Sequence, residues 1–430
     1  MLRHRLIYML SLMATLFVGS HELSAQTIRF TTLREPGATI KLSISYQGEL
    51  TMSGVKESYP SSQEPHEYTL SDQEVVISGS VQSLRVSQAE LTTLTISDCP
   101  SLVELDCSQN SLTALDLSQA PALTKLVCFA NELTQIIFPA KSPLTLLKCT
   151  NNRLSSIDLS SMTQLEELTC SSNELTELDV TTLTQLKTLK CYSNKLSDLN
   201  LSTCPLLEKL WCSDNQLRSL DLSTNHQLRV VWCYKNQIAK LSYQELPQLI
   251  WLYCEENALE TLDCSRMPRL NKLSVYGNKI QDKAMVALVA SLPKRTTTLG
   301  SFIVINTHDQ DEENVCTTTT ATQASDKGWQ VLDYSGGAND HQGIPYKGSA
   351  TTVETVARTL PIQLQWYGEA LALSGLPERG VVIIYNLLGE ALYVGQSTPT
   401  GELLIQLPEH LTGTLLLTVN HQLVSRLCRP

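Results

Sequence analysis

Between Leu91 and Asn278 the apolar residues recur in one fixed phrase. A sample is Leu175-Thr-Glu-Leu178-Asp-Val180, a linker, then Leu189-Lys-Cys191-Tyr-Ser-Asn194. The phrase opens at Leu91, Leu112, Leu133, Leu154, Leu175, Leu196, Leu217, Ile238 and Leu259, at a constant spacing of 21 residues. A fixed period of this length predicts a solenoid, in which each coil buries its apolar edge only against its neighbours. The second half of each coil, L-x-x-L-x-C-x-x-N, predicts a short strand with Leu and Cys inward and the intervening residues outward. The first half has the same spacing, as in Leu217-Arg-Ser-Leu220-Asp-Leu222. It predicts a second strand or 3-10 structure on the opposite flank, because so short a coil cannot hold a full helix.

Two columns run through the coils. The Asn column is Asn110, Asn131, Asn152, Asn173, Asn194, Asn215, Asn236, Asn257 and Asn278. Asn carries both a donor and an acceptor and tolerates turns, so one per coil satisfies backbone groups where the chain leaves the strand. The Cys column is Cys107, Cys128, Cys149, Cys170, Cys191, Cys212, Cys233 and Cys254, with Val275 in the ninth place. Adjacent strands stand about 4.8 Å apart with parallel Cβ vectors. A disulfide needs Cβ atoms about 3.8 Å apart and a perpendicular twist. The column therefore predicts small buried thiols rather than disulfides or a metal stack. A third column, Asp116, Asp158, Asp179, Asp221 and Asp263 with Asn200 among them, lies in the first half-repeat. A solvated, turn-capping role is expected there in preference to a cation site.

The Cys in the strand, the Asn three residues later and the Leu-Asp-Leu-Ser phrase (Leu115-Asp116-Leu117-Ser118, Leu220-Asp221-Leu222-Ser223) together resemble the repeat of internalin J-type leucine-rich repeat proteins of bacterial surfaces. The resemblance covers the middle of the chain. It implies a leucine-rich repeat solenoid and a role in adhesion or recognition, and it carries over no individual binding residue.

The outward positions change along the chain. Early coils present Glu104, Asp106 and Ser108, or Lys125, Val127 and Phe129. Later coils collect aromatics: Tyr192, Trp211, Trp232, Tyr234, Trp251, Tyr253 and Tyr276, with Lys190 and Lys209 between them. Exposed Trp and Tyr give large contact area at low entropic cost, which is how binding hot spots are built. They also stack on sugar rings. The competing reading is a cross-strand ladder that only stabilises the sheet. The aromatic half is taken as the partner-binding face.

The flanks predict further segments. Residues 1–25 carry Arg3 and Arg5, an apolar run over Leu6–Val18 and a small residue at Ala25, the features of a secretory signal peptide; the run is too short to span a bilayer. Residues 26–90 form a β cap, with strands at Thr39–Ile44 and Glu74–Ser78 and a loop at 59–67. Within it Leu84, Val86 and Ala89 occupy the places later held by Leu, Cys and Asn, a degenerate first coil that shields the end of the stack. After Ile280 the pattern breaks. A helix over Asp282–Leu292, a strand over Ser301–Ile305, a helix over Thr322–Asp326 and a strand over Gly328–Asp333 make an α/β cap across 280–334, with a solvated acidic loop at His308–Glu313. Residues 335–358 read as a linker. Residues 359–430 form a small β-sandwich, with strands beginning at Ile362, Gly380, Glu390, Glu402 and Thr414. The phrase Val382-Ile-Ile-Tyr-Asn-Leu-Leu-Gly389-Glu, at the end of the chain after a linker, resembles the C-terminal sorting domains of type IX secretion substrates. That resemblance implies passage across the outer membrane and attachment to outer-membrane lipopolysaccharide after the domain is removed. The last strand departs from the family pattern, since Gly413-Thr-Leu-Leu-Leu lacks an aromatic after the Gly.

The fold class is thus mainly β: a leucine-rich repeat solenoid of 21-residue coils with terminal caps and a small C-terminal β-sandwich. The formal charge of -11 argues against a nucleic-acid partner, which wants a basic face. The 8 His residues form no His-Glu-x-x-His, and the chain has neither Gly-x-Ser-x-Gly nor a phosphate-binding Gly-Lys-Ser/Thr loop. The expectation is a non-enzymatic protein without cofactor, exported to the outer-membrane surface or secreted. It binds a surface protein or glycan of a host or neighbouring bacterium. The alternative is a surface structural protein that associates with itself, as in a biofilm matrix.

Overall fold

The computed structural model describes residues 26–57, 65–335 and 343–349, together with the strands and a few adjoining positions between 363 and 428. The expected signal peptide at 1–25, residues 59–64 of the expected loop and most of the expected linker lie outside the described residues. The chain divides into two compact units, residues 1–257 with 266–269, and residues 258–265 with 270–430. Among the described residues no helix is long and apolar enough to cross a membrane.

The first unit opens on five strands: β1 (Thr27–Thr32), β2 (Thr39–Ser53), β3 (His66–Thr69), β4 (Glu74–Arg85) and β5 (Leu91–Ser97). β1 lies antiparallel between β4 and β5, and β2 pairs antiparallel with both β3 and β4. Their apolar positions alternate, so Ile28, Phe30, Ile40, Leu42, Ile44, Val75 and Ile77 all point into one core. The far end of β4 changes partner. Its Leu84 sits opposite Leu105 in a parallel pairing with β6 (Glu104–Asp106), and the Ala89 N–H donates to Asn110 Oδ1 at 3.0 Å. β4 therefore supplies the degenerate first coil, and β1 covers the open flank of β5. Two strands went beyond the sequence expectation, since Thr27–Thr32 and His66–Thr69 were not foreseen.

Seven further strands of three residues follow β6 in this unit: Lys125–Val127, Leu146–Lys148, Glu167–Thr169, Thr188–Lys190, Lys209–Trp211, Val230–Trp232 and Trp251–Tyr253. They form one parallel ladder in which each residue faces its counterpart one coil on, as in Leu189 opposite Leu210 and Leu210 opposite Val231. The central residue of every strand is buried, and the next inward place holds the Cys column. All eight column cysteines are buried and none forms a disulfide. Burial pushes the thiols of Cys107, Cys149 and Cys191 up to about 12. The first half-repeats pair as strands only at Ala114–Asp116 with Gln135–Ile137 and at Ser219–Asp221 with Lys240–Ser242. Where the Asp column is present it closes a tight turn. Asp116, Asp158, Asp179 and Asp221 accept the N–H two residues on, at 2.9 to 3.0 Å. The hydroxyl and N–H of Ser160, Thr181 and Ser223 hold three of these carboxyls below their ordinary range.

The Asn column works as a staple. Asn131 donates from Nδ2 to the Cys107 and Cys128 carbonyls, at 3.0 and 3.2 Å, and accepts the Leu112 N–H at 3.0 Å. One side chain thus ties the preceding Cys strand, its own Cys strand and the opening of its coil. The residue before each Asn adopts a left-handed conformation: Gln109, Ala130, Asn151, Ser172, Ser193, Asp214, Lys235 and Glu256 have φ between 52 and 56°, and Gly277 has 63°. Only the last of these is the residue that the conformation favours.

In the second unit the strand Lys272–Ser274 pairs in parallel register with Gly300–Ile305, which pairs in turn with Trp329–Asp333. Helices Asp282–Ser291 and Thr318–Asp326 precede these last two strands. The sequence pattern ends at Ile280, yet the staple continues. Asn314 donates to the Val275 and Val304 carbonyls, at 2.8 and 3.0 Å, and accepts the Ile280 N–H at 2.8 Å. This is the bonding of Asn131 one coil further on, delayed by the inserted helix. The acidic loop at 308–313 is exposed as expected at every residue but Glu312. Glu312 is half-buried and accepts the backbone N–H groups of Gly277, Asn306 and Asn314, at 2.8 to 2.9 Å, so this one side chain anchors the loop. Burial raises its carboxyl above the ordinary range, against these three bonds. The linker expectation is corrected at 343–349. Ile344–Pro345 pairs antiparallel with Leu332–Asp333, and the Ser349 N–H donates to the Cys316 carbonyl at 2.9 Å. The free strand edge captures this segment despite its loop-like composition.

The C-terminal strands form two antiparallel sheets. One joins Gln363–Tyr367, Ala370–Ser374 and Leu403–Gln406. The other joins Ala391–Gln396, Val381–Tyr385, Thr414–Val419 and Gln422–Cys428. Ala370–Ser374 and Gln422–Cys428 were not anticipated from the sequence.

Candidate functional site

The outward residues of the parallel ladder fall into three rows, because each strand turns alternate side chains to one face and the coils repeat in register. The middle row of the first unit runs Asp106, Val127, Lys148, Thr169, Lys190, Trp211, Trp232 and Tyr253. Its second half is one continuous aromatic stack. The Lys190 ammonium lies 3.9 Å from the centre of the Trp211 ring. Trp211 meets Trp232 at 5.4 Å with planes 60° apart, and Trp232 meets Tyr253 at 5.6 Å with planes 17° apart. Aromatic pairs in these geometries contribute about 0.5–1.5 kcal/mol beyond the area they bury. Beside this row, Lys209, Val230 and Trp251 occupy the first row, and Tyr192, Ser213 and Tyr234 follow the Cys positions in the third. Tyr192, Trp211, Trp232, Tyr234 and Trp251 are half-buried, and Lys209 is exposed.

Two of the sequence-assigned residues do not join this surface. Tyr276 belongs to the second unit and is 4 % exposed. It stacks on Tyr334 at 4.4 Å, in a cluster with Ile303 and Leu332. Period-2 alternation marks it as outward, but the added cap strands build a core over that position, so it is packing rather than contact surface. Tyr253 is 6 % exposed and works as a wall of the stack under Trp232. The remaining residues named from the sequence, Lys190 and Lys209 included, lie on one face. The Cys column is buried behind this face, and the Asn column bonds backbone groups of neighbouring coils.

Sequence reasoning missed Lys148, which sits opposite Thr169 in the middle row and is bridged to Glu167 at 3.2 Å. The lysine row had a signal, namely Lys at the same repeat position in Lys148 and Lys190. Burial lowers the Lys190 ammonium below its ordinary range, and Lys148 and Lys209 push it the same way against Glu167. The three cations therefore share one field.

The packed ladder alone does not account for the row. Trp211 Nε1 is buried and makes no hydrogen bond in the structure. Leaving such a donor unpaired costs about 1–3 kcal/mol. Coils that hold Val127 or Thr169 in the same row complete the same ladder without it.

No family model matches the sequence, and a search of curated proteins finds no match. Similar solved structures are leucine-rich repeat proteins. The leucine-rich repeat domain of APL1B is 22% identical, covers 46% of this chain and 60% of its own length, and has a TM-score of 0.40. The APL1 leucine-rich repeat domain is 20% identical, covers 51% of this chain and 59% of its own, and has a TM-score of 0.34. The functional domain of InlJ from Listeria monocytogenes, which includes a cysteine ladder, is 16% identical, covers 82% of this chain and 90% of its own, and has a TM-score of 0.29. This chain thus spans less than two thirds of the length of the two APL1 domains. The strand ladder, the constant coil length and the Asn staples make this chain a leucine-rich repeat β-solenoid.

Proposed function

We propose that this protein is a non-enzymatic recognition protein of a bacterial surface, and that it binds a macromolecular partner through the aromatic rows of the ladder. One observation carries the reading: Lys190, Trp211, Trp232 and Tyr253 form an unbroken stack across four coils whose equivalents elsewhere hold small or charged residues. Half-buried indoles in such a row combine large area with low conformational cost, the features of binding hot spots. Trp232→Ala combined with Trp251→Ala is expected to abolish capture of partners in pull-downs and on a glycan array, with circular dichroism unchanged. Unchanged capture by a folded double variant refutes the reading.

The proposal includes export. The features of residues 1–25 and the sorting-domain phrase at 382–390 support delivery to the outer-membrane surface, with lipopolysaccharide attachment after removal of residues 359–430. Deleting residues 360–430 is expected to leave the protein in the periplasm, and normal surface display of that variant refutes this part. Contribution to host attachment or to a biofilm follows from either class of partner.

A further inference from the structure

Asn200 breaks the third column. Asp116, Asp158, Asp179, Asp221 and Asp263 hold the equivalent place in other coils, and each accepts the N–H two residues on, at 2.8 to 3.0 Å. Asn200 closes the same turn. Its Oδ1 accepts the Ser202 N–H at 3.1 Å and the Ser202 hydroxyl at 2.7 Å. A carboxylate accepts more strongly than an amide, so the turn by itself favours Asp. What Asn adds at this place is a carboxamide nitrogen.

That nitrogen is uncommitted. In the staple column Asn194 Nδ2 donates to the Cys170 and Cys191 carbonyls, both at 3.1 Å, and Asn215 Nδ2 to the Cys191 and Cys212 carbonyls, at 3.0 and 3.2 Å. Asn200 Nδ2 makes no hydrogen bond among the described residues. The residue is exposed, between the buried Leu199 and Leu201.

Asn200-Leu201-Ser202 is an Asn-x-Ser triplet without proline at its centre, and no other Asn of the chain has Ser or Thr two residues on. Such a triplet on the surface of an exported chain is the acceptor of N-linked glycosylation. Asp198, exposed two residues before Asn200, offers a transferase a carboxylate to hold through a cation.

Resting on the export reading above, we infer that Asn200 is a glycan attachment site, and that its co-substrate is an oligosaccharide carried on a polyprenyl diphosphate. Asn200 Nδ2 attacks the anomeric carbon of the first sugar. A C–N bond forms as the bond from that carbon to the diphosphate oxygen breaks. The diphosphate leaves with the bonding pair, one Nδ2 proton passes to a base of the transferase, and nothing is oxidised or reduced. Oδ1 takes no part, so the product keeps the turn that Oδ1 caps. The ladder strand of this coil spans Lys209–Trp211, so the glycan and the aromatic rows use different halves of the coil.

The test takes the full chain from the envelope and from the cytoplasm of the cell that makes it, and reads the tryptic peptide from Leu196 to Lys209 by tandem mass spectrometry. The envelope peptide is expected to carry a glycan on Asn200. The glycan is lost completely in Asn200→Gln and Ser202→Ala and kept in Ser202→Thr. Asn200→Asp restores the turn of the other coils, so it is expected to fold and to be exported with this peptide unmodified. A wild-type peptide found only unmodified in the envelope overturns the inference and leaves export standing. A chain found unmodified and confined to the cytoplasm overturns both. A glycan that persists on this peptide in folded Asn200→Asp also overturns the inference, since it then sits on Ser197, Ser202 or Thr203.

Discussion

Replacing Asn173 by Ala removes one staple from the middle of the ladder. Asn173 is 9 % exposed; its Nδ2 donates to the carbonyls of Cys149, Cys170 and Ser171, at 3.0, 3.0 and 3.1 Å. Its Oδ1 accepts the N–H of Leu154, itself fully buried, at 3.0 Å. The truncation strands one buried N–H, at about 1–3 kcal/mol, and deprives carbonyls of two adjacent Cys strands of a donor, at about 1 kcal/mol each. The expected loss is about 3–5 kcal/mol, a large share of the stability of an ordinary domain. Because each coil rests only on its neighbours, the loss weakens the interfaces on both sides. Urea unfolding of the full chain, followed by circular dichroism and by tryptophan fluorescence, measures it. Asn173→Asp separates the two roles. It keeps the acceptor for Leu154 but aims a second oxygen at carbonyl oxygens, so at neutral pH it is expected to cost at least as much as Ala. A loss under about 1 kcal/mol for Ala, or a wild-type midpoint for Asp, refutes the staple account.

Two other expectations follow from the same coils. Ala130 has a φ of 53°, so Ala130→Gly is expected to raise the stability by up to about 1 kcal/mol and with it the thermal midpoint, while Ala130→Val lowers both, as thermal unfolding reads. The thiols of Cys107, Cys149 and Cys191 lie near about 12 in the folded chain, because of burial, against about 8.5 when unfolded. A raised value means the folded chain holds its proton where the unfolded chain releases it. Stability from this source is therefore full below about pH 8.5 and declines as pH rises from there toward about 12. Cys191→Val is expected to flatten that decline in alkaline urea titrations, and alkylation of the folded chain at neutral pH is expected to leave the column unmodified.

Much of the scaffold was legible because a repeat declares itself. Leu, Cys and Asn hold their places in coil after coil, with few exceptions such as Val231 and Val275, because a buried aliphatic, a small buried side chain and a bivalent amide meet the demands of those places. The tenth staple was hidden for a physical reason. The helix Asp282–Ser291 separates Asn314 from its coil, so its bonds match those of Asn131 while its spacing does not. The left-handed residue before each Asn left little compositional trace, since Gln, Ala, Asn, Ser, Asp, Lys and Glu all occupy it; the staple and the strand on either side determine its φ. The capture of 343–349 was illegible because it depends on an unpaired edge at Trp329–Asp333, which no local composition reports.

For the candidate site, alternation alone assigned Tyr192, Trp211, Trp232, Tyr234 and Trp251 to one face, and that assignment needs nothing beyond a constant period and a side-chain repeat of two. Alternation assigned Tyr276 there with equal force, and the structure removes it, because the outward direction becomes an interior once Tyr334, Ile303 and Leu332 are brought against it. The aromatic rows changed in character as well as in extent. Their composition suggested ring faces open to a ligand, whereas the geometry stacks Trp232 on Tyr253 and sets Lys190 on Trp211. Sequence by itself determined which residues share a row, since a period is a property of the chain. Only the tertiary structure decided which of them meet solvent and which rings cover one another, since exposure and stacking depend on contacts between residues far apart in the chain.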